Sequence, residues 1–383
     1  MITKARAVFY THAVLVQAIT FVLRPTATYR AVELDVPAHW LGVLAASFAV
    51  LPLLLAVPAG HATDRYGERR VMVTGSAIVL LCAAGFVALG GSVVGLVVAS
   101  VLLGLGHLCS VVGQQAMVAN GTAPERYDAG FGHYTFATSV GQATGPALIV
   151  FFGGGGTVPN TGAIFAWTAV LTVVLVAVSL ALPRTRTRAA MQETSDGSVR
   201  DLLRKPGLLR ALAVSCVVLA AVDITLVYLP ALGAERGITA GTVGVLLMLR
   251  AAASMASRFF LGRLVVLLGR RRLLVGSVAL SAVSLGASAI PMPPWLLGVV
   301  VALLGLGLGA GQPLTMSWLA ETTPPGLTGR AMSLRLTGNR LGQVVVPSLA
   351  GMLAVGAGAS GVLALTAAGL GAVGFAARRL HNS

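Results

Sequence analysis

Apolar residues run through this chain in blocks of roughly 20, the length at which an α-helix crosses a ~30 Å hydrocarbon core. "WLGVLAASFAVLPLLLAVPAG" (40–60), "FAWTAVLTVVLVAVSLAL" (165–182) and "LLGVVVALLGLGLGAG" (296–311) are three of twelve such blocks. Inside lipid every backbone donor and acceptor must be satisfied without water, so each block is expected to be helical. Charged residues make up 10% of the chain, against about 25% in soluble domains. The alternating polarity of membrane β-barrel strands is absent. The expected fold class is an all-α integral membrane protein of twelve transmembrane helices, surrounded by a lipid bilayer.

A formal charge of +15 would point to nucleic acid in a soluble protein. Here the positive-inside rule accounts for it. With the N-terminus in the cytoplasm, all but seven of the 27 Lys and Arg fall in cytoplasmic segments. Arg30 and Arg236 fall outside, and Arg24, Arg250, Arg258, Arg335 and Arg340 fall within spans. Both termini are therefore expected in the cytoplasm, with the chain in the cell (plasma or inner) membrane and no nucleic-acid partner. The start, "MITKARAVFYTHAVLV", shows no small-residue cleavage site and reads as a retained first helix. Cys82, Cys109 and Cys216 lie within spans and suggest neither a disulfide framework nor a zinc site. No P-loop, HExxH or CxxC pattern occurs, so neither an enzyme nor a cofactor or metal is expected.

Residues 183–207, "PRTRTRAAMQETSDGSVRDLLRKPG", form the longest polar stretch and read as a cytoplasmic linker. They separate residues 1–182 from 208–383, six spans each. A shift of 201 positions lays Gly104-Leu105-Gly106 on Gly305-Leu306-Gly307 without gaps. The same shift carries Thr122 to Thr323, Pro124 to Pro325, Gly141-Gln142 to Gly342-Gln343, Pro146 to Pro347 and Leu148 to Leu349. The expectation is two pseudo-symmetric six-helix bundles, a transporter design whose substrate site lies between the repeats near the midplane.

The turn after span 2, "GHATDRYGERRV" (60–71), resembles the loop signature of the major facilitator superfamily at Gly60, Asp64, Arg65, Gly67, Arg69 and Arg70. A second copy, "GRLVVLLGRRR", keeps Gly262, Gly269, Arg271 and Arg272 but has Val266 at the acidic position. With the twelve spans and the linker, the resemblance covers essentially the whole chain. It implies a latch at the cytoplasmic gate, formed by the first of these loops. In physical terms Gly60 is expected to admit a close neighbour, Gly67 a tight reversal, and Asp64 a helix cap or an arginine partner. In style the chain is nearest the twelve-helix drug or metabolite:proton antiporters, with two departures. Ser100 stands where proton-coupled members carry an arginine in span 4, and Leu148-Ile149-Val150 follow Pro146 where antiporters have glycines.

An ionisable side chain near the bilayer centre costs about 2.5–3.5 kcal/mol on insertion scales, so each one is a functional candidate. Arg24 sits roughly 24 Å along span 1 and Asp223 roughly 21 Å along span 7. In the resembling fold these spans are symmetry partners facing the cavity. A pair between Arg24 and Asp223 is one expectation; the alternative is an Arg24 that snorkels and an Asp223 satisfied locally. Asp223 is the mid-span carboxylate and the expected proton carrier. Arg250, Ser254 and Arg258 share one face of span 8. On span 11, Arg340 is expected near mid-depth, beside Asn339 and Gln343, an i, i+4 amide pair. Span 5 carries Gln142, with Ser139 at the position equivalent to Arg340, and span 4 carries His107, Ser110 and Gln114 on one stripe.

The expected substrate contacts are Arg24, His107, Gln114, Gln142, Arg250, Asn339, Arg340 and Gln343, with helix-packing glue as the alternative role for the glutamines. Three deep arginines against one carboxylate favour an anionic solute. The expected activity is proton-coupled efflux of a small organic solute by a monomer. Uptake symport or facilitated passage of an organic anion, and a non-transporting receptor or scaffold, are the alternatives.

Overall fold

The computed structural model describes residues 2–121, 127–183, 208–322, 328–353 and 355–377, and everything regular among them is helical. The first half contributes α1 (Ile2–Glu33), α2 (Leu41–Tyr66), α3 (Glu68–Leu89), α4 (Val93–Gly121), α5 (Tyr127–Thr144), α6 (Ala147–Gly153) and α7 (Thr161–Leu180). The second contributes α8 (Leu208–Glu235), α9 (Ala240–Phe259), α10 (Leu261–Leu268), α11 (Arg270–Ser288), α12 (Pro294–Thr322), α13 (Thr328–Leu353) and α14 (Gly358–Ala377). Two spans are built from two pieces each. Pro146, which cannot supply a backbone N–H, breaks α5 from α6, and a turn at Phe260 separates α9 from α10.

Ten segments among the described residues are long and apolar enough to cross a bilayer. The other two long helices are the polar ones. α11 starts on Arg270, Arg271 and Arg272, and α13 carries Arg335, Asn339, Arg340 and Gln343. Large apolar side chains such as Phe151, Val266 and Trp295 stand more than 70% exposed, which suits a surface that meets lipid. Apart from Pro183, the expected linker lies outside the described residues.

The helices group into two compact units. Unit 1 comprises Met1–Val36, Ser47–Ala190 and Gly237–Met248; unit 2 comprises Pro37–Ala46, Met191–Arg236 and Leu249–Ser383. In unit 1, α3 lies against α4, and α1 against α5 and α7. In unit 2, α11 lies against α12 and α14, and α8 against α13 and α14.

The repeated Gly-Leu-Gly sets the same packing in both units. Residues i and i+2 point to well-separated faces of a helix. Gly104 abuts the Phe48 carbonyl of α2, while a Cβ on Gly106 would come 2.8 Å from the Gly75 carbonyl oxygen of α3. Gly305 abuts the Arg250 carbonyl of α9, and a Cβ on Gly307 would come 2.6 Å from the Ser277 oxygen of α11. Each glycine pair lets its helix lie close against two neighbours at once.

The two turns that resemble each other also agree in geometry. Gly67 opens α3 at φ 86°, ψ 151°, and Gly269 opens α11 at φ 76°, ψ 147°, a backbone region that side chains disfavour. Gly60 differs from expectation. No described atom comes within 4 Å of a Cβ placed there, so no neighbour requires a glycine at that point. The Asp64 side chain lies outside the described residues.

At the opposite ends of the helices sit Arg30 and Arg236, the two basic residues assigned to the far side of the membrane. Arg30 Nε donates to the Gly90 carbonyl at the end of α3 (2.9 Å) and Nη1 pairs with Glu33 (2.7 Å). Glu33 in turn accepts from Thr161 at the start of α7 (2.8 Å). Unit 2 repeats the device with other residues. Arg236 donates to the carbonyls of Ser288, Ala289 and Ile290 after α11, and Glu235 accepts from the Ala359 N–H at the start of α14 (3.0 Å). A cation on a helix C-terminus and an anion on a helix N-terminus are each the favoured polarity. Both basic exceptions to the charge rule thus close orphaned helix carbonyls.

Candidate functional site

Each unit holds two layers of buried polar side chains. In the layer nearer the 60–71 turn, Tyr134 of α5 donates to Gln114 Oε1 (3.0 Å). The amide must then offer its N–H to His12 Nδ1 (2.8 Å), which fixes the His12 proton on Nε2, facing Ser76 Oγ (3.2 Å). Ser76 meets Ser179 of α7 at 2.6 Å. One amide therefore links α1, α4 and α5, and the histidine extends the link to α3 and α7.

Unit 2 builds the counterpart around Gln312 of α12. Arg335 donates to Gln312 Oε1, and Gln312 Nε2 donates to the Ser215 carbonyl of α8 (2.7 Å). Ser215 Oγ donates to Asn339 Oδ1 (2.9 Å). Tyr134 and Arg335 are related by the 201-residue shift, so the same position of the repeat feeds the glutamine in both units. Gln114 and Asn339, expected at the substrate, are 0% and 4% exposed and engaged in these helix-to-helix bonds.

The second layer is organised by the Gly-Gln of the repeat. A Cβ on Gly141 would come 2.7 Å from the Gln17 Cβ, and Gly342 sits directly on Cys216. With the helices this close, the adjacent glutamine can reach across. Gln142 Nε2 donates to Gln17 Oε1 of α1 (3.5 Å), and Gln17 Nε2 donates to His107 Nε2 (3.3 Å). The His107 ring lies 5.4 Å from Phe48, whose face receives the Arg24 guanidinium at 4.4 Å. Arg24, 6% exposed, is thus held in a cation–π contact within unit 1.

In unit 2 the repeat-matched Gln343 stands between opposite charges. Arg340 Nη1 donates to Gln343 Oε1 (2.9 Å), and Gln343 Nε2 donates to Asp223 Oδ2 (2.5 Å). Asp223 and Gln343 are 3% and 4% exposed. Arg250 is 2% exposed, and the residues below it on the same face, Ser254 and Arg258, donate to the Gly305 and Gly309 carbonyls of α12. Arg24 and Asp223 belong to different units. Of the turn residues, Arg69 donates to the Leu180 carbonyl that ends α7 (2.5 Å), Arg65 lies over Tyr66, and Arg70 is exposed. The neighbouring Glu68 is buried and accepts from Asn120 (2.5 Å).

His12, Gln17, Tyr134, Ser215 and Phe48 are participants that sequence reasoning missed. For His12 and Gln17 the signal was present, since both are polar residues inside an apolar run seven or more positions from Arg24. Phe48 had no such mark. No cluster of three or more metal-ligating side chains occurs among the described residues.

None of the curated proteins matches the chain by sequence. The profile of the Major Facilitator Superfamily matches residues 10–236 and again 211–381. The chain belongs to that superfamily. It is a multi-pass membrane transporter of the twelve-helix fold, not an enzyme. Solved transporter structures share its fold at low identity. The inward-open xylose transporter XylE from E. coli is 14% identical, with a TM-score of 0.76 over 99% of this chain and 96% of its own. The nucleoside transporter NupG is 12% identical, with a TM-score of 0.73 over 96% and 98%. The human organic anion transporter MFSD10 (TETRAN) is 17% identical, with a TM-score of 0.67 over 97% and 98%.

Proposed function

We propose that this transporter carries a small organic anion by alternating access and that Asp223 takes the proton that drives it. The observation that carries the reading is the Arg340–Gln343–Asp223 line, in which the mid-span carboxylate and a deep guanidinium share one amide. Arg250 and Arg340 are the deep guanidinium groups of unit 2 and Arg24 that of unit 1; each favours an anion, and a guanidinium matches a carboxylate with paired N–H donors. Gln142 and His107 are the candidate contacts of unit 1, while Gln114 and Asn339 each hold the helices of their own unit in register.

The same reading makes Gly60, Asp64, Arg65, Gly67, Arg69 and Arg70 the cytoplasmic latch, supported by the positive φ of Gly67 and the Arg69 bond to α7. Residues 1–182 and 208–383 act as the rocking halves of a monomer joined by 183–207. Both termini are cytoplasmic, and the chain resides in the plasma or inner membrane.

Efflux in exchange for protons requires proton and anion to exclude each other; symport requires that they bind together. Accumulation of an anionic and a cationic fluorescent probe, in cells with and without the protein, tests the proposal. The anion alone should respond, and the response should vanish with a protonophore and with Asp223→Asn. Lower accumulation means export and higher means uptake. A response to the cation alone would sink the charge argument.

A further inference from the structure

We infer that Gln343 makes protonation of Asp223 and anion binding at Arg340 favour each other, so that the chain works as a proton–anion symporter; this rests on the functional reading above. A side-chain amide has one accepting and one donating end. With Asp223 ionised, only one orientation of Gln343 suits both neighbours. Its oxygen faces Arg340 and its N–H faces the carboxylate, at 2.9 and 2.5 Å. Turning the amide over would set N–H against guanidinium and oxygen against carboxylate. Ionised Asp223 thus keeps Gln343 Oε1 on Arg340 Nη1, one of the N–H donors a substrate carboxylate would use.

A proton on Asp223 changes the balance. The neutral acid has an O–H to donate, and the amide oxygen becomes its natural acceptor. Gln343 can then turn towards Asp223 with both ends satisfied, releasing an N–H of Arg340 to an anion. By reciprocity, an anion that displaces Gln343 Oε1 frees that oxygen for the protonated acid, so each ligand promotes the other. Loss of the negative charge near the arginine acts with the same sign. Among the described side chains on α12, α13 and α14, the helices packed most extensively against α8, the charged ones are Arg335 and Arg340, both on α13. Arg335 is turned to Gln312. Efflux by exchange, the sequence expectation, needs the opposite sign between proton and solute.

The test needs no known substrate. Phenylglyoxal, a small arginine reagent, is applied to the purified full-length protein, and modification of Arg340 is timed by mass spectrometry with Arg335 as internal reference. Asp223→Asn, which mimics the neutral acid, should speed modification of Arg340 about five-fold, the effect of removing one hydrogen bond. In a Gln343→Leu background, Asp223→Asn should speed modification much less, leaving only the through-space effect of the lost charge. Equal Arg340 rates in wild type and Asp223→Asn would overturn the inference, as would the same acceleration with and without Gln343. Gln343→Asn, whose shorter amide cannot span both partners, serves if the leucine variant does not elute as a single folded species. A transport reading that fails shows separately, as a probe response indifferent to Asp223→Asn.

Discussion

Gln114 and Gln142 lie on neighbouring helices of one unit, yet the geometry gives them different weight. Gln114 is fully buried between two good partners, His12 at 2.8 Å and Tyr134 at 3.0 Å. Gln142 is half-buried, with a long 3.5 Å contact to Gln17. Leaving a buried donor or acceptor without its partner costs about 1–3 kcal/mol, whereas losing a marginal bond costs less than about 1. Thermal unfolding in detergent should therefore show Gln114→Leu several degrees below wild type, and Gln142→Leu close to it. Comparable losses in the two variants would show that the Gln114 link is not holding the unit together. The same contrast explains why site residues were only partly legible. Sequence can report that an amide is inside the membrane; whether it meets another helix or a solute depends on which neighbour stands within 3 Å.

At the scale of helices, the repeated Gly-Leu-Gly and the charged clasps make separable predictions. Gly305 is pressed against the Arg250 carbonyl, and overpacking such a contact typically costs about 1–3 kcal/mol. Gly305→Val should lower the yield of monodisperse protein sharply, whereas Gly60→Ala, where the space is open, should not. Equal tolerance at both positions would argue against the close α9–α12 approach. At the clasp, Arg236→Gln removes the cation that serves three carbonyls after α11. A stability loss of about 1–2 kcal/mol is expected. Arg236→Lys should recover only part of it, because an ammonium lacks the planar fork. Unfolding midpoints of the two variants read this directly.

Across the whole molecule, the sequence repeat and the compact units do not divide the chain identically. Unit 1 takes Gly237–Met248 from the second half of the sequence, and unit 2 takes Pro37–Ala46 from the first. Two chains cut within 183–207 would each lack a piece of their own unit. Expressed singly, residues 1–190 and 191–383 should give little monodisperse protein; expressed together, they should co-purify. Two well-behaved halves, each stable alone, would contradict that expectation.

The sequence by itself determined the helical membrane fold, the two-fold repeat and the family. These follow from block length, mean apolarity and motif register, which are properties of the linear chain. It also singled out Asp223, Arg340 and Gln343, because polarity within lipid is conspicuous wherever it occurs. Tertiary structure decided the rest. Gln343 bridges two charges, Gln114 and Asn339 face other helices, and Arg30 and Arg236 cap helix ends remote in sequence. Such partners are brought together by packing between helices up to 128 residues apart, and no local pattern encodes a distance across that gap. Even Phe48, under the Arg24 guanidinium, is one apolar residue among many until the fold sets a cation over its ring.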